Sequence, residues 1–295
     1  MKKLLLLFLI TFLAKFVIAQ TTAIPDTLFE QELINLGLDA TIDGQVITAN
    51  IDTLTYLNVS FKNISDLTGI EDFTNLVIID CGNNQLPSID ISQNTALQQL
   101  HCRSNSITNL DLSNNSLLSH LGCDFNSLTN LDLTNNTAIY SINCNGNSIT
   151  NLDVSNNITL KFLFCTSNSM TDLNVNNLSF IRMHCSNNSL TTLNLTNITV
   201  QYLECYNNAI TSLDLTNTNI ISLKCWVNSL SNLDLSNNIA LTDLRCHNNQ
   251  LSSMDLSNNL ALTYLSCHSN NLNYLKVNNN NNNNFITFER ILTQI

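Results

Sequence analysis

Glycine and proline are nearly missing from this chain, with 6 and 2 among 295 residues. Collagen-like chains and flexible linkers need them in quantity, so both classes are excluded. Charge is also scarce, at 11 % of residues, and what there is leans acidic: 22 Asp and Glu against 11 Lys and Arg. Lys2, Lys3 and Lys15 sit at the very start, which leaves eight basic residues for the rest. Such a balance excludes nucleic acid or an anionic membrane surface as the main partner. Beyond the first residues no apolar run is long enough to span a bilayer. There is no Gly-rich phosphate loop and no unique nucleophile elbow; Ser, His and Asp recur in phase instead of converging on one constellation. The expectation is a protein without enzymatic activity and without a cofactor or metal.

Asparagine fills the space left by these absences, with 52 residues. Hydrophobic residues reach 44 %, enough for a core, so the excess of Asn does not signal disorder. Met1 to Lys3 is basic, Leu4 to Ala14 is apolar but too short to cross a membrane, and Val17-Ile18-Ala19 precedes a cleavage point. Residues 1–19 therefore read as a signal peptide. No Cys follows the cut, so no lipid anchor is indicated there.

The cysteines carry the plan of the fold. Cys81, Cys102, Cys123, Cys144, Cys165, Cys185, Cys205, Cys225, Cys246 and Cys267 are separated by 21, 21, 21, 21, 20, 20, 20, 21 and 21 residues. Uniform spacing means one Cys per turn of a repeat. Each unit reads LxxLxCxxNxLxxLxL, as in Leu97, Leu100, Cys102, Asn105, Ile107, Leu110 and Leu112. An Asn follows every Cys by three residues, from Asn84 to Asn270. An earlier unit, Leu54 to Phe73, has Val59 in place of Cys and Lys62 in place of Asn, making about eleven coils.

This pattern resembles the leucine-rich repeat family over residues 51–277. The 21-residue unit with a strand Cys is similar to the bacterial IRREKO subclass, and "NISDLTGIEDFTNL" is similar to internalin-type repeats. The leader before it resembles that of surface leucine-rich repeat proteins of Bacteroidetes. The resemblance implies an exported protein of adhesion or recognition. Such relatives continue into a C-terminal sorting domain, and none is visible here. Three locations thus stay open: secreted, cell surface, or periplasmic. A shortened surface-sorted protein stays open as well.

The repeat supports a solenoid on physical grounds. Leu-x-Cys alternates with period two, so both side chains point inward from a short parallel strand. The later Leu-Asp-Leu segment reads as a second short strand or turn; a helix there would be about 10 Å wide against ~4.8 Å for a strand. The corner Asn is expected to bond to backbone groups left unpaired by the turn. The cysteines become a column of buried free thiols, since neither CxxC clusters nor inward His accompany them. Asp90, Asp111, Asp132, Asp153, Asp214, Asp234 and Asp255 form an outward column; hydrogen bonding to neighbouring Ser and Thr is expected there, with weak Ca²⁺ binding as the alternative.

Coils expose apolar edges, so caps are needed. Asp26 to Leu36 has helical spacing after Pro25 and reads as a capping helix, and residues 38–50 as the first edge strand. Residues 20–50 form the N-terminal cap, and 278–295 an Asn-rich tail or cap.

Function is expected in the outward columns flanking each Cys. These collect all five His, the single Trp and several aromatic and basic residues. The candidate ligand-binding residues are Phe162, Phe164, Arg182, His184, Tyr202, Tyr206, Lys224, Trp226 and Arg245, because aromatics and Arg anchor recognition surfaces. The expectation is a monomeric protein- or glycan-binding module. A structural or ice-binding solenoid, built on the column Thr108, Thr129, Thr150, Thr171, Thr191 and Thr211, is the alternative.

Overall fold

The computed structural model describes residues 19–277 and 287–288. The proposed signal peptide, up to residue 18, and almost all of the tail lie outside the described residues.

The solenoid is built on one parallel sheet of twelve short strands among the described residues. In spatial order these are β3 (Tyr56–Asn58), β4 (Ile78–Asp80), β5 (Gln99–His101), β6 (His120–Gly122), β7 (Ser141–Asn143), β9 (Phe162–Phe164), β11 (Ser179–His184), β12 (Thr199–Glu204), β13 (Ser222–Lys224), β14 (Asp243–Arg245), β16 (Tyr264–Ser266) and β18 (Thr287–Phe288). In β5 the central Leu100 is buried and its flanking residues half-buried; Cys102 just beyond is buried again. The other Cys-containing coils repeat this alternation. All ten cysteines are buried and unpaired. Burial pushes their thiols up, to about 12 at Cys102, Cys144 and Cys185.

The Leu-Asp-Leu segment is a strand in only four coils: β8 (Asn151–Asp153) with β10 (Asp172–Asn174), and β15 (Ser253–Asp255) with β17 (Tyr274–Lys276). In the other coils among the described residues it makes no strand pairing, and in both cases the Asp side chain closes an Asx turn just after the segment. Asp111 Oδ1, for example, accepts from the Ser113 N–H at 2.9 Å.

Every Cys is followed two residues later by a left-handed residue, from Asn83 (φ 55°) to Ser269 (φ 53°). Non-glycine residues resist this conformation by about 1–2 kcal/mol. The next residue, the corner Asn, holds the bend. Asn147 Nδ2 donates to Cys123 O and to Cys144 O, both at 3.1 Å, while its Oδ1 accepts from Leu128 N–H at 3.0 Å. One amide thus ties a coil to the one before it. The same three bonds recur from Asn126 to Asn270.

A second Asn ladder runs along the opposite corner and is not anticipated by the Cys-centred pattern. Asn94, Asn115, Asn136, Asn157, Asn238 and Asn259 are buried. Asn136 Nδ2 donates to Leu112 O at 3.1 Å and Asn115 O at 2.9 Å. The ladder breaks where the repeat shortens to 20 residues. Leu178, Ile198 and Thr218 take the place of Asn there, and all are buried. Asn177 and Asn197 make left-handed turns, at φ 62° and 59°, that absorb the missing residue. The chain then enters the sheet earlier, so β11 and β12 run to six residues each.

The N-terminal cap contains helix α1 (Thr27–Asn35). Asp26 Oδ1 caps it, accepting from Leu28 and Phe29 N–H at 2.8 and 3.1 Å. Its Oδ2 accepts from Ser65 and Asp66 N–H at 2.8 and 3.0 Å, so one carboxylate both starts the helix and docks it on the first coil. Phe29 stacks on Phe73, with ring centroids 6.2 Å apart. The edge strand expected within 38–50 is present as β2 (Gln45–Ile47), but it does not extend the solenoid sheet. It pairs antiparallel with β1 (Thr21–Ala23) in a separate two-stranded sheet. The fully buried Glu30 is the reason: its Oε1 accepts from the N–H groups of Asp43, Gly44 and Gln45 at 2.8, 2.6 and 3.1 Å, turning the chain back toward α1.

Native protein should resist thiol reagents, and denaturation should release ten reactive thiols. Mass spectrometry under non-reducing conditions checks this, because several disulfides would contradict the thiol column. Asn147→Ala should lower stability by about 1–3 kcal/mol, since it leaves the Leu128 N–H without its acceptor and takes one of two donors from Cys123 O and Cys144 O. Asn136→Ala should cost less, about 0.5–1.5 kcal/mol, since Leu112 O and Asn115 O keep their backbone donors. Urea melts read the loss, and hydrogen exchange should localise it to the adjoining coils.

Candidate ligand-binding face

The parallel register places the outward residues in rows. One row runs Phe162, Arg182, Tyr202, Ser222, Asp243 and Tyr264. The next runs Phe164, His184, Glu204, Lys224, Arg245 and Ser266. A third, just past the strands, carries Tyr206, Trp226, His247 and His268. All nine residues singled out in the sequence fall in these three rows; eight are half-buried and Arg182 is exposed.

Rows at one-strand spacing let like side chains stack. Tyr206 lies on Trp226 with centroids 4.0 Å apart and planes at 6°, and Trp226 on His247 at 5.4 Å and 7°. His268 continues the stack at 4.5 Å from His247. Arg182 sits over the Tyr202 ring at 4.9 Å, and Arg245 over Tyr264 at 4.3 Å. Phe164 meets His184 edge-on at 4.9 Å.

Two ion pairs lie within this face. Lys224 Nζ contacts Glu204 Oε1 at 2.6 Å, and Arg245 Nε contacts Asp243 Oδ1 at 3.1 Å. Desolvation pushes His184 below its usual range, opposed by Glu204 and aided by Arg182 and Lys224. Glu204, Asp243 and Tyr264 are thus contact partners of the predicted residues. Tyr140, between His120 (5.9 Å) and Phe162 (5.6 Å), was missed, because it precedes its Cys by four residues and lies outside the columns considered. No sequence signal other than its aromatic character marks it.

No group of three or more His, Cys, Asp or Glu among the described residues is arranged to hold a metal ion. The acidic column lies on a different edge, with each carboxylate engaged by the Ser or Thr two residues on.

The same architecture recurs in a solved structure. The functional domain of InlJ from Listeria monocytogenes, which includes a cysteine ladder, matches at 33 % identity with a TM-score of 0.67. The chain is an internalin-like leucine-rich repeat protein. The match covers 86 % of this leucine-rich repeat chain and 53 % of that one, so it spans about half the length of its relative. An internalin (inlF) from Listeria monocytogenes has the same fold at 22 % identity and a TM-score of 0.63, covering 86 % of this chain and 89 % of that one. YopM from Yersinia enterocolitica has it at 22 % identity and a TM-score of 0.60, over 76 % and 48 % of the two chains. No family model and no curated protein matches this leucine-rich repeat protein.

The acidic column predicts the low-pH behaviour of the repeat protein. Hydrogen bonds from Thr134 and Thr216, hydroxyl and backbone N–H, lower the carboxyl groups of Asp132 and Asp214 below 3.8. Folded values below the unfolded one mean stability that is whole above 3.8 and lost as pH falls through the lowered values. Thermal melts should decline below about pH 4, and Asp132→Asn with Asp214→Asn should make that decline shallower.

Proposed function

We propose that this protein is an exported, non-enzymatic recognition module that binds a protein ligand through the strand face of coils around β9 to β14. The observation that carries this reading is the concentration of aromatic and basic side chains into three contiguous rows, held in place by mutual stacking and ion pairing. Preorganised aromatic and Arg residues lose little side-chain freedom on binding, which is what distinguishes anchors from ordinary surface. Leucine-rich repeat solenoids use such extended faces to bind other macromolecules.

A protein is favoured over a glycan by the orientation of the rings. Tyr206, Trp226, His247 and His268 lie face to face with one another, so inner faces are occupied and edges turn outward. A sugar needs an open aromatic face to lie on; a protein side chain packs against edges and the clefts between them. Export rests on the basic-apolar start of the chain. No helix among the described residues is long and apolar enough to cross a membrane.

The test is capture of ligands from surface extracts by three proteins of equal stability: wild type, Tyr202→Ala with Trp226→Ala, and Asp132→Asn with Asp153→Asn. Each aromatic truncation should weaken binding by about 2 kcal/mol, and the Asp changes should alter salt dependence more than affinity. Loss of the ligand in the Asp variant alone would assign binding to the other edge.

A further inference from the structure

The strand face has a second, different feature toward its N-terminal end. Around β6 the rows open into a dent of about 320 Å³, lined by Asp80, His101, Arg103, His120, Gly122 and Asp124 among others. Gly122 opens it. Its neighbours in the row are His101 and Asn143, both with side chains. Gly122 does not have a left-handed φ, so the backbone does not require glycine there. A Cβ at that position would lie 3.1 Å from His101 Nδ1 and 3.9 Å from Asp124 Oδ1. The missing side chain lets the His101 ring lie against the Gly122 backbone and keeps the floor of the dent low beside Asp124. In a chain with only 6 Gly, Gly82 does the same one row over: a Cβ there would meet Arg103 Cγ at 3.0 Å, so the Arg103 stem lies across its backbone.

The carboxylates of the face are not treated alike. Glu204 is paired with Lys224 at 2.6 Å and Asp243 with Arg245 at 3.1 Å. Asp80 Oδ1 accepts from the Gly82 N–H at 3.0 Å. Asp124, only 6 % exposed, lines the dent with no ion pair at its carboxylate, whose one hydrogen bond comes from its own backbone N–H. Arg103 and His101 are near enough to favour its charge, yet burial outweighs them and pushes its carboxyl up. A buried carboxylate with no cation in contact is costly, and a cation delivered to it would gain most of the Coulombic attraction without new desolvation of the acid. The formal balance of the lining, Asp80 and Asp124 against Arg103, also calls for positive charge.

We propose that this dent is a socket for one basic side chain, Lys or Arg, of the bound protein, with Asp124 as its carboxylate partner. The proposal rests on the protein-binding reading for the nature of its occupant, but the socket is distinct from the aromatic rows. It makes the face bipartite: an aromatic and basic half that supplies anchors, and a glycine-lined acidic hole that supplies register. A flexible ammonium or guanidinium fits a hole of this size, and Gly122 sets its depth.

The socket is testable without the natural ligand. Nα-acetyl-lysine methylamide is titrated into isotope-labelled protein, with the uncharged norleucine analogue and acetate as controls. Saturable shifts at the Gly122 amide and the His101 ring are expected for the lysine probe alone. Asp124→Asn should weaken its binding at least about tenfold, as for a lost charge-assisted hydrogen bond. Gly122→Val should fill the hole and abolish binding, while Tyr202→Ala with Trp226→Ala should leave it unchanged. Equal shifts with norleucine, a response to acetate, or undiminished binding to Asp124→Asn would overturn the socket. Because the probe reads the hole directly, that failure would leave the aromatic-face reading standing, and loss of ligand capture by the aromatic variant would not touch the socket.

Discussion

Every feature of this molecule follows from stacking near-identical coils at the spacing of one strand. In-register parallel pairing puts each residue about 4.8 Å from its counterpart in the next coil. A position is therefore usable only by a side chain that tolerates a copy of itself as neighbour. Asn does so best at the corner after each Cys, where one amide both donates and accepts and so links a coil to its predecessor, while at the second corner the buried Asn amides only donate. Leu and Cys do so in the core, where they are apolar and of fitting volume. Asp tolerates it poorly, and each carboxylate of the acidic column is turned onto its own loop. On the strand face the same rule selects ring stacks and alternating charge, as in Tyr206 on Trp226 and Glu204 beside Lys224.

The three 20-residue coils show what one deletion does to such an array. Removing a residue at the second corner leaves no place for the buried Asn, and an aliphatic residue or Thr218 fills it instead. The polar ladder gives way to extra sheet, with β11 and β12 twice the length of their neighbours. Thr218 repairs the junction: its hydroxyl donates to Leu215 O at 2.8 Å, and Asn238 Nδ2 donates to Thr218 O at 3.2 Å where the ladder resumes. The proposed anchors Arg182, His184 and Tyr202 stand on these longer strands, where more of the backbone is held by pairing. A rigid platform under the anchors lowers the ordering cost of binding.

Glycine and aromatic residues divide the strand face between them. Gly82, Gly122 and Gly146 lie at the N-terminal end, and the ring of Phe125 covers Gly146, whose Cβ would come within 2.7 Å of it. The stacked rings lie at the C-terminal end. The face therefore changes from recessed to raised along the solenoid, although every coil has the same inward pattern. Relief on the outside costs the core nothing, because inward and outward residues alternate along each strand.

How much was legible in the sequence divides along the same line. The repeat length, the inward Leu and Cys, the first Asn ladder and the capping helix were all readable, because each is a local pattern copied many times with its spacing preserved. The second Asn ladder escaped, since Asn is so common in the turns that its buried members look like the exposed ones beside them: Asn115 is buried next to exposed Asn114. The edge strand at 45–47 was placed on the wrong sheet because its partner was chosen by Glu30, a buried carboxylate that reads in sequence as ordinary helix surface. The outward columns named the candidate residues, but not the pairings between them or the lack of an ion pair at the Asp124 carboxylate. The sequence by itself determined which residues face in and which face out, because that depends on a period of two within one strand. Only the tertiary structure decided which outward residues meet, because that depends on register between coils and on whether a side chain leans over its neighbour or leaves a hole.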